Sequence, residues 1–329
     1  MRSELQQRVA LFVQNRDRIK SEYHLESAYM YPLCANIWTS RDRLADLDKM
    51  KEALALLKEK TGVFSNFRGT AKMMIVTMLS MSDSMELSMN QLLTLYEELR
   101  STFGRSEFMV IIADIMVELL EPEQYDEMIQ RTRILYDAMK KEHPFLTSKE
   151  DATFAALLAM SNRENNELLE DMEQSYRILK NVFSSGNAIQ ALSHILALSD
   201  AEVSLKCQRV VQLYDRLKAN GHTYGKNYEL ATLGVFALLD GDLEILVKEI
   251  GEVDDVLKNV KGFGFFGIGA KQRLMYAAML VSMDYTATIV TFQTAAMNGV
   301  LSIILAQQAA MCASIAAASA ASSASNSSS

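Results

Sequence analysis

The sequence predicts an all-α protein, an α-solenoid of about six to seven helical hairpins with terminal capping helices. Three observations carry that reading. Proline stands at only three of 329 positions, Pro32, Pro122 and Pro144, and proline is what breaks helix interiors. Alanine, leucine, methionine, glutamate and lysine, all strong helix formers, dominate the chain. Short motifs recur at a period of about 40 residues, the mark of stacked units that cannot bury their apolar faces alone.

The period shows in three series. "LYEELR", "LYDAMK", "SYRILK" and "LYDRLK" place Tyr96, Tyr136, Tyr176 and Tyr214 at spacings of 40, 40 and 38 residues. "EVDDVLK" continues the series with Asp254 in the tyrosine slot, and "LALLK" precedes it with Leu54 there. Apolar helices stopped by a small polar turn form the second series, ending at Asp83, Asn162, Asp200, Asp242 and Asp284. The third is aromatic: Phe64, Phe103, Phe145, Phe183, Tyr224, then Phe263 or Phe265. Each unit therefore reads as an apolar helix, a polar turn, a tyrosine-bearing helix and an aromatic loop. The tyrosine rings are expected to pack between units with their hydroxyls at the rim.

Residues 1–24 read as an N-terminal capping helix, with Ser3 as cap, Gln6 as its partner, and Leu5, Val9, Phe12 and Val13 on one face. Residues 25–284 hold the hairpin array. In the tyrosine-slot helix of its third unit, Met128, Ile134, Leu135 and Met139 mark the apolar face. Residues 285–317 contain no charged side chain and read as two helices packed on the last repeat; 318–329 is a Ser/Ala tail expected to be disordered. Membrane contact through 289–316 is the rival reading of that uncharged stretch. Gln293, Asn298, Gln307 and Gln308 interrupt it, and no basic residue follows to set an orientation.

Composition narrows function. Apolar residues make up 49% and charged residues 22%, as in ordered globular proteins. The formal net charge of −8 repels phosphate backbones, so no nucleic-acid partner is expected. Cys34, Cys207 and Cys312 form no C-x-x-C and read as reduced thiols of an intracellular protein. The apolar run "VALFV" is too short, and too closely flanked by charge, for a secretory signal.

The densest local signal is "KGFGFFGIGAKQR", where Gly262, Gly264 and Gly267 spell G-x-G-x-x-G. A dinucleotide site needs a strand before such glycines, but the charged helical end "EVDDVLKNVK" precedes them. No G-K-S/T follows, which excludes a P-loop. The loop falls where other units carry an inter-repeat connection, and it parallels "GVFSNFRGTAK". Two readings stand. Glycines supply positive φ angles that let the chain turn between buried phenylalanines. Alternatively Gly262, Gly264, Gly267 and Gly269, with Lys271 and Arg273, hold an anion or a partner's carboxylate at a helix start.

No histidine pairs with another, or with a cysteine, at ligand spacing, so neither metal nor cofactor is expected. His194, inside "ALSHILAL", reads as a hydrogen-bonded core residue. There is no H-E-x-x-H or G-x-S-x-G. The twenty methionines read as core filling.

"YPLCANIW", "GVFSNFRG", "KGFGFFGIGAKQRLMYAAML" and "LAQQAAMCASIAA" resemble the bacterial family called domain of unknown function 4003 over nearly the whole chain. The resemblance implies a cytoplasmic bacterial protein and carries over no catalytic residues. The expected function is a non-enzymatic scaffold or adaptor that binds a protein or peptide on a helical-repeat surface. The alternatives are a small-ligand or anion-binding protein or enzyme with its site at 261–273, and a membrane-associated protein.

Overall fold

The computed structural model describes residues 1–62, 65–239, 241–264, 267–292, 311–312 and 314–315. The fold is all-helical. In chain order the helices are α1 (Ser3–Glu22), α2 (Met30–Ser40), α3 (Leu47–Lys60), α4 (Gly69–Leu79), α5 (Met85–Phe103), α6 (Glu107–Leu119) and α7 (Tyr125–Glu142). There follow α8 (Asp151–Ala159), α9 (Asn165–Leu179), α10 (Gly186–Leu196), α11 (Val203–Ala219), α12 (Gly234–Leu238), α13 (Leu243–Lys258) and α14 (Ala270–Phe292). A 3-10 segment, Tyr228–Leu233, leads into α12. Among the described residues there is no β-strand, only an isolated bridge between Phe263 and Ile268.

Sequence divides these helices into two kinds. Odd-numbered helices are amphipathic: α9 buries Leu168, Asp171, Met172, Ser175 and Leu179, one stripe at helical spacing. Helices α2, α4, α6, α8 and α10 are apolar nearly all round: α2 buries every residue from Met30 to Thr39. A helix without a polar face must be covered on every side, so these helices form the inner row. Each packs on the next, α2 on α4, α4 on α6, α6 on α8, α8 on α10, and α10 on the Tyr228–Leu233 segment and α12. The odd helices follow the same order outside.

α14 returns to the start of the fold. α14 packs on α13 and the Tyr228–Leu233 segment, and also on α1 and α2. Phe12 lies between Phe263 (6.2 Å) and Tyr276 (5.8 Å). The amino terminus pairs with Glu252 (2.7 Å), and Arg2 pairs with both Glu249 (2.5 Å) and Asp284 (2.8 Å). α1, the expected amino-terminal capping helix, therefore packs on α14, most of which falls in the expected hairpin array. Asp284 does not stop a helix, as its motif suggested; α14 runs through it to Phe292 because Arg2 and Arg8 neutralise its buried carboxylate.

Cations from the outer row grip the carbonyl ends of inner helices, where the helix dipole is negative. Arg131 of α7 donates to the Ala159 (2.7 Å) and Ser161 (2.8 Å) carbonyls after α8. Arg209 of α11 does the same to Phe236 (2.9 Å) and Leu239 (2.8 Å) after α12. Between them, Asp171 of α9 holds Lys206 (2.6 Å) and Arg163 (2.8 Å), and these two donate to the Leu196, Ala197 and Ser199 carbonyls after α10. Arg131, Asp171 and Arg209 each stand five residues before a series tyrosine.

The series tyrosines lie on α5, α7, α9 and α11, and each meets a ring from the end of the preceding outer helix or from the loop that follows it. Phe67 meets Tyr96 (5.0 Å), Phe103 meets Tyr136 (5.7 Å), His143 meets Tyr176 (4.5 Å) and Phe183 meets Tyr214 (5.2 Å). Two partners differ from the aromatic series. Phe145 is 99% exposed, and His143 takes its place because its nitrogen can also pair with Glu173 (2.6 Å). Phe67 fills the first position, and Phe64 falls outside the described residues. Tyr224 is buried, but the residue facing Asp254 is His222 (3.0 Å).

Smaller departures have local causes. α1 begins at Ser3 after Arg2, with no side-chain cap, because Arg2 is drawn to α13. Leu5, Val9 and Phe12 are buried and Val13 is half-buried. Ile134 points to solvent while Ile129, Thr132, Leu135 and Met139 make the buried stripe of α7. Of the uncharged stretch, residues 285–292 continue α14, and 311, 312, 314 and 315 are also helical. Cys312 and Ile315 are buried against Ile37, Met74 and Ile111 of α2, α4 and α6, with Asn36 donating to Met311 Sδ (3.8 Å). These four residues sit on the inner row of the N-terminal half rather than on the last hairpin.

Candidate functional site

The glycine-rich loop is built around its own backbone. Gly262 takes φ +100°, and its carbonyl accepts from the Ile268 N–H (2.9 Å). The left-handed conformation therefore lies at Gly262 and not at Gly267. Gly267 is required for a different reason: a Cβ there would run into the Gly262 carbonyl oxygen. Phe263 is buried with Arg16 over its ring (4.9 Å); Phe265 and Phe266 lie outside the described residues.

The candidate anion ligands do not converge. Arg273 is buried and donates from Nε to Asp254 Oδ1 (2.6 Å) and from Nη2 to Oδ2 (3.2 Å). Lys271 and Gly269 are exposed, as is Gly262, and Gly264 is half-buried. The loop thus presents the ammonium groups of Lys261 and Lys271 at its rim, with its guanidinium committed inside. Nearby, His222, Asp254 and Asp255 bring ligand atoms within 4.8 Å of one another. The guanidinium already bound to Asp254 opposes a cation there.

A different place has the shape of a site. A cleft of about 450 Å³ opens between α7 and α9, floored by α10, a size within the range of ligand pockets. Met139, Leu169 and Met172 form its apolar wall. Gln190, Ser193 and His194 form the floor; at i and i+4, Gln190 and His194 share one face of α10. Glu142, Glu170, Glu173, Lys141 and Arg177 stand around it.

The floor is buried and incompletely satisfied. Gln190 and His194 are each 2% exposed. Gln190 Nε2 donates to Thr147 Oγ1 (2.9 Å), but its Oε1 has no hydrogen-bond partner. His194 packs on Phe154 (5.4 Å), and its Nδ1 is likewise unpartnered, 3.9 Å from Asp151 Oδ1. An unmade hydrogen bond on a buried group costs roughly 1–3 kcal/mol, which a suitable ligand recovers. Burial, and then His143, hold the His194 imidazole down at about 3, so it is neutral at physiological pH. Burial pushes Asp151 up to about 6. At the rim, His143 donates to Glu173, which also faces Arg177 (3.8 Å).

His194 is thus a core residue as its apolar helix implied, yet not a hydrogen-bonded one at Nδ1. Gln190 and Glu173 carried no motif. The signal available in the sequence was the pair of polar residues four apart in the otherwise apolar "AIQALSHIL".

The model of a family described as proteins of unknown function, DUF4003, matches residues 15–309. The chain belongs to the DUF4003 family. A relative is the uncharacterized protein YeaA of Bacillus subtilis (strain 168), 22% identical over 312 residues that span 93% of this chain and 92% of that protein. No solved structure matches the chain. The DUF4003 match includes α2 to α14 and with them the whole α7–α9–α10 cleft. Among the described residues, no helix of this DUF4003 protein is long and apolar enough to cross a membrane.

Proposed function

We propose that the chain is an array of helical hairpins, each pairing an outer with an inner helix, that serves as a non-enzymatic cytoplasmic scaffold. In this reading it holds a segment of a partner protein in the cleft between α7 and α9. The repeated tyrosine–loop ring contacts and the repeated grip on inner-helix carbonyls support the hairpin array. One observation carries the binding role: Gln190 Oε1 and His194 Nδ1 are buried, unpartnered, and part of the floor of an open cleft. Stability alone gives no reason to leave both groups unsatisfied.

The rival site at 261–273 has less support, because Arg273 is spent on Asp254. A photo-crosslinking residue at Glu170, on the cleft rim, and another at Ile245, exposed on α13, test the proposal in cells. A discrete adduct from position 170 alone, mapped to one segment of one protein, is the expected result. Equal adducts from both positions, or a thermal shift with a nucleotide or phosphate that the Lys271→Ala variant loses, would overturn it.

A further inference from the structure

We infer that the α7–α9–α10 cleft recognises a primary ammonium on an alkyl chain, its N–H groups donating to Gln190 Oε1 on a floor backed by the Asp151 carboxylate. The inference rests on the reading of this cleft as the binding site and adds the chemistry of what it takes.

The unpartnered floor atom of Gln190 is an acceptor, since its amide nitrogen is already committed to Thr147. It therefore asks for a donor, and a carboxylate or phosphate ligand would leave it unsatisfied. His194 is neutral, so it does not repel a cation. Asp151 Oδ1 lies 3.9 Å behind His194 Nδ1, and its Oδ2 accepts from the Ser148 N–H (2.7 Å). Lys140 of α7 is committed elsewhere, donating to the Thr147 carbonyl (2.5 Å).

The rim leans the same way. Three carboxylates, Glu142, Glu170 and Glu173, stand against Lys141 and Arg177. Met139, Leu169 and Met172 offer an apolar wall to the methylene stem, which long cationic side chains bury while placing the charged head elsewhere. An amide ligand would also satisfy Gln190, but it makes no use of this excess of negative charge. The ammonium can come from a free diamine or from a lysine of a partner segment.

Calorimetric titration separates these sources. The probes are 1,5-diaminopentane, an acetylated and amidated Ala-Ala-Lys-Ala-Ala peptide, and the same peptide with norleucine for lysine. Binding of the lysine peptide but not of the norleucine peptide is expected. If the diamine binds as tightly as the lysine peptide, the ligand is a free amine; if the peptide binds tighter, it is a protein lysine. Gln190→Leu and, separately, Asp151→Asn should each weaken the lysine probe about tenfold or more, while the melting temperature reports on the fold. Absence of binding by every amine, equal binding of the norleucine peptide, or affinity unchanged in both variants would overturn the inference. A lysine-free segment crosslinked at position 170 would sink it too, yet leave the scaffold reading standing.

Discussion

Arg273 and Asp254 form a two-pronged buried ion pair, Nε to Oδ1 at 2.6 Å and Nη2 to Oδ2 at 3.2 Å, at the position where four other outer helices carry a tyrosine. His222 completes the group at 3.0 Å from Asp254. Removing one partner strands the other charge in the core. Arg273→Ala should therefore lower stability by about 3–5 kcal/mol, while Lys271→Ala, exposed at the same loop, stays within about 0.5 kcal/mol. Urea unfolding of both variants decides it; equal, small effects would mean the pair holds nothing together.

Two substitutions test the loop itself. Gly267→Ala places a methyl against the Gly262 carbonyl oxygen and should destabilise although no left-handed φ is involved. Phe263→Ala empties a pocket shared with Phe12 and Arg16 and should cost about 3–5 kcal/mol. Thermal melts that rank both variants beside wild type would show the loop to be ornamental.

Glu150 sets a pH dependence of definite sign. Burial, and secondly Asp151, raise its carboxyl from 4.5 to about 7. The folded state therefore binds the proton more tightly than the unfolded chain, and stability falls as pH rises from about 4.5 through about 7. Glu150→Gln removes the charging cost, so it should stabilise at pH 8 by on the order of 1–2 kcal/mol, discounted for partial exposure, and change nothing near pH 4. The neutral imidazole of His194 acts with the opposite sign below its ordinary range, but it is common to both proteins and cancels in the difference. A constant difference across pH would refute the assignment.

Thiol chemistry gives an independent check on packing. Burial pushes Cys34 up to about 12 and raises Cys207 and Cys312 as well. Thiolates do the attacking, so a thiol reagent at pH 8 should leave the native protein unlabelled and modify all three cysteines in denaturant. Rapid labelling of Cys312 in the native state would show that 312–315 leaves the inner row.

The tyrosine and loop-aromatic periodicity could be read from sequence because a repeated pocket asks for a similar side chain each time. Its exceptions could not. His143 replaces Phe145 because it also serves Glu173, and that need is visible only once α7 and α9 are side by side. In the sequence, Leu5, Val9, Phe12 and Val13 mark one apolar stripe of α1. The stripe is real, but nothing local says that Tyr276 covers it. The cleft was legible least of all. Gln190 and His194 look like tolerated polar residues in an apolar helix until their missing partners are seen.

The packing of α1 on α14 has a consequence for how the protein is made. During synthesis Phe12 emerges long before Phe263 and Tyr276, its partners. At ~5–20 residues per second the wait is on the order of ten seconds to a minute. For that interval Leu5, Val9 and Phe12 lack their final cover, and nascent α1 is a ready surface for a chaperone. α1 thus waits for a helix made about 250 residues later, and a chain cut short before α14 never covers that stripe.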